Sequence, residues 1–244
     1  MPALGSILGS LTLDIAAGLL LIAMTAVGTR LVQLLPSRRL WRLSRPPQLV
    51  ICAANSANTE TGKYLRPATG LGQLRALATI APSLSRAYGS LERASIVLDQ
   101  ALGGAFHEAD IISLGGAKNN AVTTDILESL RRNGVPVPVS EPSSLSWPAL
   151  SSPLYEAETR DGTVVKDYGM IVRARSPYQP RRTVVVLAGA STFGTAAAAR
   201  HFVERCAFVS GDFAAIVCAE VRDKHVLAPA VVHFLKLPAG RVPE

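Results

Sequence analysis

Apolar residues follow two different patterns along this chain. Residues 11–35, LTLDIAAGLLLIAMTAVGTRLVQLL, are apolar almost without interruption, broken mainly by Asp14, Arg30 and Gln33. Beyond Pro46-Pro47 the apolar runs become short and are separated by turn residues. QLVICAA (48–54), SIVL (95–98), DIISL (110–114) and TVVVLAG (183–189) are continuous runs of the kind buried strands show. TVVKDYGMIVRA (163–174) alternates instead, with residues 154–160 as its hairpin partner through Asp161-Gly162. Helical spacing occupies 69–88, 119–134 and 194–206, and Pro82 predicts a kink or break in the first of these. FAAIVCAEV (213–221) and APAVVHFLKL (228–237) complete the pattern as a closing strand pair.

Strand–helix alternation early and strands late predict a three-layer α/β fold with a mostly parallel sheet and an antiparallel edge. Residues 135–153, rich in proline and serine, read as a loop or a subdomain boundary.

The first pattern predicts one N-terminal transmembrane helix over 11–35, because about 20 apolar residues cross a ~30 Å hydrocarbon core. Arg30, Arg38, Arg39, Arg42 and Arg45 follow with no acid among them, and Trp41 stands in the run. That arrangement is expected of an interfacial anchor on the positive-inside side. The resulting plan is a short extracytoplasmic N-terminus (1–10), the span (11–35), a basic juxtamembrane linker (36–47) and a cytoplasmic α/β domain (48–244). The protein is thus expected in an inner or plasma membrane, as a single-pass protein.

Charge and cysteine content narrow the chemistry. The formal charge is +7, but most of the excess sits in the arginine run, so the domain itself has no electrostatic case for nucleic acid. Cys52, Cys206 and Cys218 are far apart and odd in number, as buried free thiols are. No CxxC or HExxH spacing occurs, so no metal site and no cofactor is expected.

Two junctions carry candidate chemistry. LGGAKNNAVTTDILESL (114–130) and LAGASTFGTAAAARHFV (187–203) align without a gap, each an apolar strand, a glycine turn and a helix start. Glycine lets the backbone turn sharply and approach a ligand, and the helix behind it offers unpaired N–H groups and a positive dipole end. Gly115, Gly116, Lys118, Asn119 and Asn120 from the first turn, with Gly189, Ser191, Thr192, Gly194 and Thr195 from the second, are the candidate ligand-binding residues. A plain βα turn explains the same glycines without any ligand. Lys63, Arg66 and Arg75, in the glycine-containing stretch 61–77, form a secondary candidate for an anion. Ser191 also invites comparison with a nucleophile elbow, but GASTFG places its second glycine one residue beyond GxSxG. A histidine would have to reach that hydroxyl, with Asp212 and His225 or His233 as the available partners.

The combination of GGAKNN with the later AGASTFGTAAAA unit resembles Rossmann-like nucleotide-sensing domains of bacterial signalling and conflict systems. It is similar, too, to a domain of archaeal surface-layer proteins with a GG-x-x-N turn and a later AG…T…A helix start. The resemblance implies one pocket lined by Gly115, Gly116, Asn119, Asn120, Gly189, Ser191, Gly194 and Thr195. On it rests the expectation of a membrane-anchored sensor or regulator that binds a nucleotide-like or phosphorylated ligand. The alternatives are a scaffold module of a membrane-associated complex and a hydrolase or transferase using Ser191; no catalytic residue is assigned.

Overall fold

The computed structural model describes residues 19–25, 28, 34–44, 48–55, 57–60, 65–89, 91, 94–98 and 104–238. Residues 34–41 form a helical segment, α1. In chain order there follow β1 (Leu49–Ala53), β2 (Ala57–Glu60), β3 (Leu65–Ala68), α2 (Leu71–Tyr88), β4 (Ser95–Leu98), β5 (Asp110–Leu114) and α3 (Ala121–Arg132). Next come β6 (Val139–Ser140), β7 (Ser144–Ser146), β8 (Tyr155–Glu156), β9 (Glu158–Arg160), β10 (Thr163–Arg175) and β11 (Thr183–Gly189). The chain continues with α4 (Thr192–Arg205), β12 (Phe213–Arg222), β13 (His225–Val226) and β14 (Ala230–Lys236).

The main sheet runs β13-β12-β10-β11-β5-β1-β4, with β14 also on β12 and β9 on β10. Its β4, β1, β5 and β11 are mutually parallel. From β11 onward every pairing is antiparallel. The expectation of a mostly parallel sheet with an antiparallel edge is therefore corrected to a curled mixed sheet. The physical reason lies in β10. This long strand pairs β11 on one side and β12 on the other, so α4 joins two strands that run the same way with β10 between them. An alternating run can fill either a central or an edge position, and its pattern alone does not say which.

Alternation does set the two faces of the sheet. Ile51, Ile112, Leu114, Val185, Leu187, Phe213 and Ala215 face α1, α2 and α4. Ile111, Val184, Val186, Met170, Val172 and Ile216 face α3 and the small sheet β6-β7-β8. The stretch 135–153, expected as a loop or a subdomain boundary, forms part of this second cover: Trp147 is fully buried and donates Nε1–H to the Pro136 carbonyl at 2.9 Å. Helix α2 continues through Pro82 without a break. The hairpin at Asp161-Gly162 has positive φ at both residues, 50° and 72°, as a two-residue turn between twisted strands requires.

The expected single-pass membrane protein is corrected as well. Among the described residues no helix is long and apolar enough to cross a membrane. Residues 19–25 are helical, and Leu19, Leu20, Leu21, Ile22 and Met24 are exposed. Residues 1–18, 26, 27 and 29–33, and with them the expected extracytoplasmic segment, lie outside the described residues. Trp41, expected at a headgroup interface, is instead fully buried against the Phe202 ring at 5.0 Å and donates Nε1–H to Ser83 Oγ at 3.0 Å. Two arginines of the run bond to the fold. Arg38 donates to the Ala87 carbonyl in the last turn of α2, a favourable place for a cation. Arg42 pairs with Asp212 at 2.7 Å.

Arg173 completes this attachment. Arg173 and Arg175 are two apart in β10, yet Arg175 is exposed and Arg173 is fully buried. Its guanidinium donates to the carbonyls of Leu40 (2.7 Å), Val209 (2.6 Å) and Gly211 (2.6 Å), and lies over the Phe213 ring. Burial lowers its pKa to about 10.

Candidate functional site

β5 and β11 are adjacent and parallel, so the turns that leave their carboxyl ends stand side by side. A Cβ placed on Gly116 would lie 3.1 Å from the Gly189 carbonyl oxygen. Carboxyl ends of parallel strands are where open α/β sheets leave a crevice. Here the crevice is a pocket of about 310 Å³. The candidates Gly116, Lys118, Asn119, Gly189, Ser191, Thr192 and Thr195 line it; Gly115, Asn120 and Gly194 do not.

Those three have structural duties. Gly115 has φ +107°, and a Cβ there would press on Ala54 and the Gln73 amide at 2.8 Å. Asn120 is 1% exposed and caps α3, accepting from Thr123 N at 3.2 Å and donating to Ser113 Oγ and the Leu114 carbonyl. Gly194 lets α4 start against β10: its Cβ would fall 2.0 Å from the Tyr168 carbonyl oxygen. Gly169 and Gly72 serve the same close packing, since a Cβ on either would fall 2.3 Å from the carbonyl oxygen of Gly194 or Thr192. The run GTAAAA is explained likewise, since Ala196 to Ala199 are all buried under this tight contact.

The start of α4 is not an open anion site. Asp167, on the adjacent β10, is fully buried and directs its carboxylate into that helix start. Oδ2 accepts from Ser191 Oγ at 2.5 Å and from the Gly194 amide, while Oδ1 accepts from the Tyr168 amide at 2.8 Å. Burial raises the Asp167 carboxyl above its ordinary value, against the opposing pull of these hydrogen bonds. A carboxylate from a neighbouring strand thus does the work that Ser191, at the N-cap position, does not do with its own side chain. With Asn120 capping α3, both helix starts are served by the protein itself. Nothing in the described residues supports the expected nucleotide binding or a signalling role.

The nucleophile comparison meets a related obstacle. The Ser191 hydroxyl donates to Asp167 rather than to a histidine. Asp212 precedes β12, which runs parallel to β11, so it stands at the end of the sheet opposite Ser191. His233 is held by the Tyr155 hydroxyl at 2.7 Å. Among the secondary anion candidates, Arg75 donates to the Lys224 carbonyl and lies outside the pocket. Lys63 is outside the described residues, and Arg66 is placed only by its backbone in β3. No group of three or more His, Cys, Asp or Glu able to hold a metal occurs among the described residues.

Comparison with models of protein families and with curated proteins finds no match. The site is read from its own chemistry.

Five lining residues, Gln73, Glu141, Pro142, Ser143 and Ala190, and Asp167 behind them were not among the sequence candidates. Gln73, in the first turn of α2, lines the pocket at 9% exposure, and its Oε1 is buried with no hydrogen-bond partner. Glu141 and Ser143, in the β6–β7 turn, form the far wall. This turn is fastened to the glycine loop, because Ser140 Oγ accepts from the Ala117 amide at 3.1 Å. Asp167 lies behind Ser191. Only Asp167 had a signal in the sequence, the one acid in the strand TVVKDYGMIVRAR.

Proposed function

We propose that the chain is a small-molecule-binding α/β domain, with its ligand in the crevice beyond the carboxyl ends of β5 and β11. One observation carries the reading: two glycine turns from neighbouring parallel strands enclose a single polar pocket, and a nearly buried glutamine in its wall has an unanswered acceptor. A buried polar atom without a partner costs about 1–3 kcal/mol, which a ligand N–H or O–H offsets on binding. The volume admits a compact metabolite and is at the small end of ligand pockets. Binding rather than covalent catalysis is favoured because the Ser191 proton is held by a carboxylate that also caps α4.

The test is a thermal-shift screen of the full chain against compact polar metabolites, repeated with Ser143→Trp. Ser143 is exposed in a turn, so a bulky side chain there fills the pocket mouth without entering the core. Stabilisation by at least one compound, abolished in Ser143→Trp, is expected. A shift that survives the substitution places the ligand elsewhere and overturns the reading.

A further inference from the structure

The pocket's rim carries one charge of each sign, and these come from different elements. Lys118 stands in the β5–α3 turn and Glu141 in the β6–β7 turn, both exposed and both lining the pocket. They do not form an ion pair with one another. The Ser140–Ala117 hydrogen bond ties the two turns together, so the charges face a common opening on a braced frame.

Deeper in, the wall holds two acceptors beside Asn119, Thr192 and Thr195, whose side chains can donate or accept. Gln73 Oε1 has no donor. The Ser191 hydroxyl donates its hydrogen bond to Asp167, which leaves its oxygen lone pairs for an incoming donor. A ligand matching this set needs an anionic group for Lys118, and a cationic or N–H-rich group for Glu141 and the acceptors.

Building on the pocket assignment above, we infer that its ligand is a compact zwitterion of the free α-amino acid class. The ligand's carboxylate lies toward Lys118 and its ammonium toward Glu141. Polyphosphates fit poorly, since a single lysine would face them against Glu141 and against the Asp167 carboxylate behind the helix start. A neutral polyol would leave both rim charges without a counter-charge.

The experiment is isothermal titration of the full chain with the proteinogenic amino acids one at a time, alongside sodium phosphate, AMP and sorbitol. Lys118→Gln and Glu141→Gln are measured in parallel. Both positions are exposed turn residues, so the melting temperature without ligand stays unchanged. At least one amino acid is expected to bind, and each substitution weakens it roughly tenfold or more, as loss of a charge-assisted hydrogen bond does. Tightest binding by phosphate or AMP overturns the zwitterion. Sorbitol binding that is indifferent to both substitutions also overturns it, and leaves the pocket assignment standing. Absence of binding by every probe, in a protein shown to be folded, removes both.

Discussion

Gly194→Ala sets two well-measured tendencies against each other. In a helix interior alanine is better than glycine by about 1 kcal/mol, so propensity alone predicts stabilisation. Position 194 is in the first turn of α4, where the added Cβ would lie 2.0 Å from the Tyr168 carbonyl oxygen, 2.7 Å from its carbon and 3.0 Å from the Gly189 Cα. All three are backbone atoms of the sheet and none can rotate away. Ordinary contact requires the helix to retreat by about 1.5 Å. That movement stretches the Gly194 N–H bond to Asp167 and leaves a fully buried carboxylate with one donor fewer. Overpacking costs about 1–3 kcal/mol and the damaged charge-assisted bond about 1.5–3 kcal/mol, so a net loss of about 1.5–5 kcal/mol remains after the propensity gain. For a domain of this size that is a fall of roughly 5–15 °C in melting temperature. Thermal and urea denaturation followed by circular dichroism measure it. A variant as stable as the parent, or more so, would falsify the close-packed account of the glycine seam.

Further outcomes follow from the buried charges and rings. Because burial holds the Asp167 carboxyl above its ordinary 3.8, the folded chain binds that proton before the unfolded chain as pH falls. Its contribution to stability therefore decreases as pH rises from the ordinary value through the raised one, and Asp167→Asn lacks that slope; parallel stability–pH profiles for the two proteins would count against it. Arg173→Met removes the donors that hold the Leu40 carbonyl to the 209–211 loop, so trypsin is expected to cut rapidly at Arg38, Arg39 and Arg42 while the sheet stays folded. An unchanged digestion pattern would show that the clamp is dispensable. In Trp147→Phe, Trp41 is the sole tryptophan, and its emission is expected blue-shifted, shielded from acrylamide and unaffected by anionic vesicles. Red-shifted, quenchable emission that moves with lipid would contradict the packing of Trp41 on Phe202.

The sequence by itself determined the local elements. Continuous apolar runs gave β1, β5 and β11, because strands covered on both faces leave no solvent side to mark with polar residues. Glycines after β5 and β11, and Asn120 before α3, marked where strand becomes helix, since those backbone angles and caps are local requirements. Local signals do not specify which strand lies next to which. That β10 separates β11 from β12, and that the two glycine turns share a pocket, depends on pairings between residues far apart in the chain. The same limit explains Trp41 and the arginine run. A tryptophan among basic residues suits a headgroup interface and a protein core alike, and only the contacts that Trp41 makes with Phe202 and Ser83, and Leu40 with Arg173, separate the two. The serine of GASTFG is the sharpest case: its spacing left a nucleophile open to consideration, and the carboxylate that holds its proton comes from a strand 24 residues earlier. Tertiary structure alone decided that this turn is capped from outside and faces a pocket with Lys118, Glu141 and an unanswered Gln73.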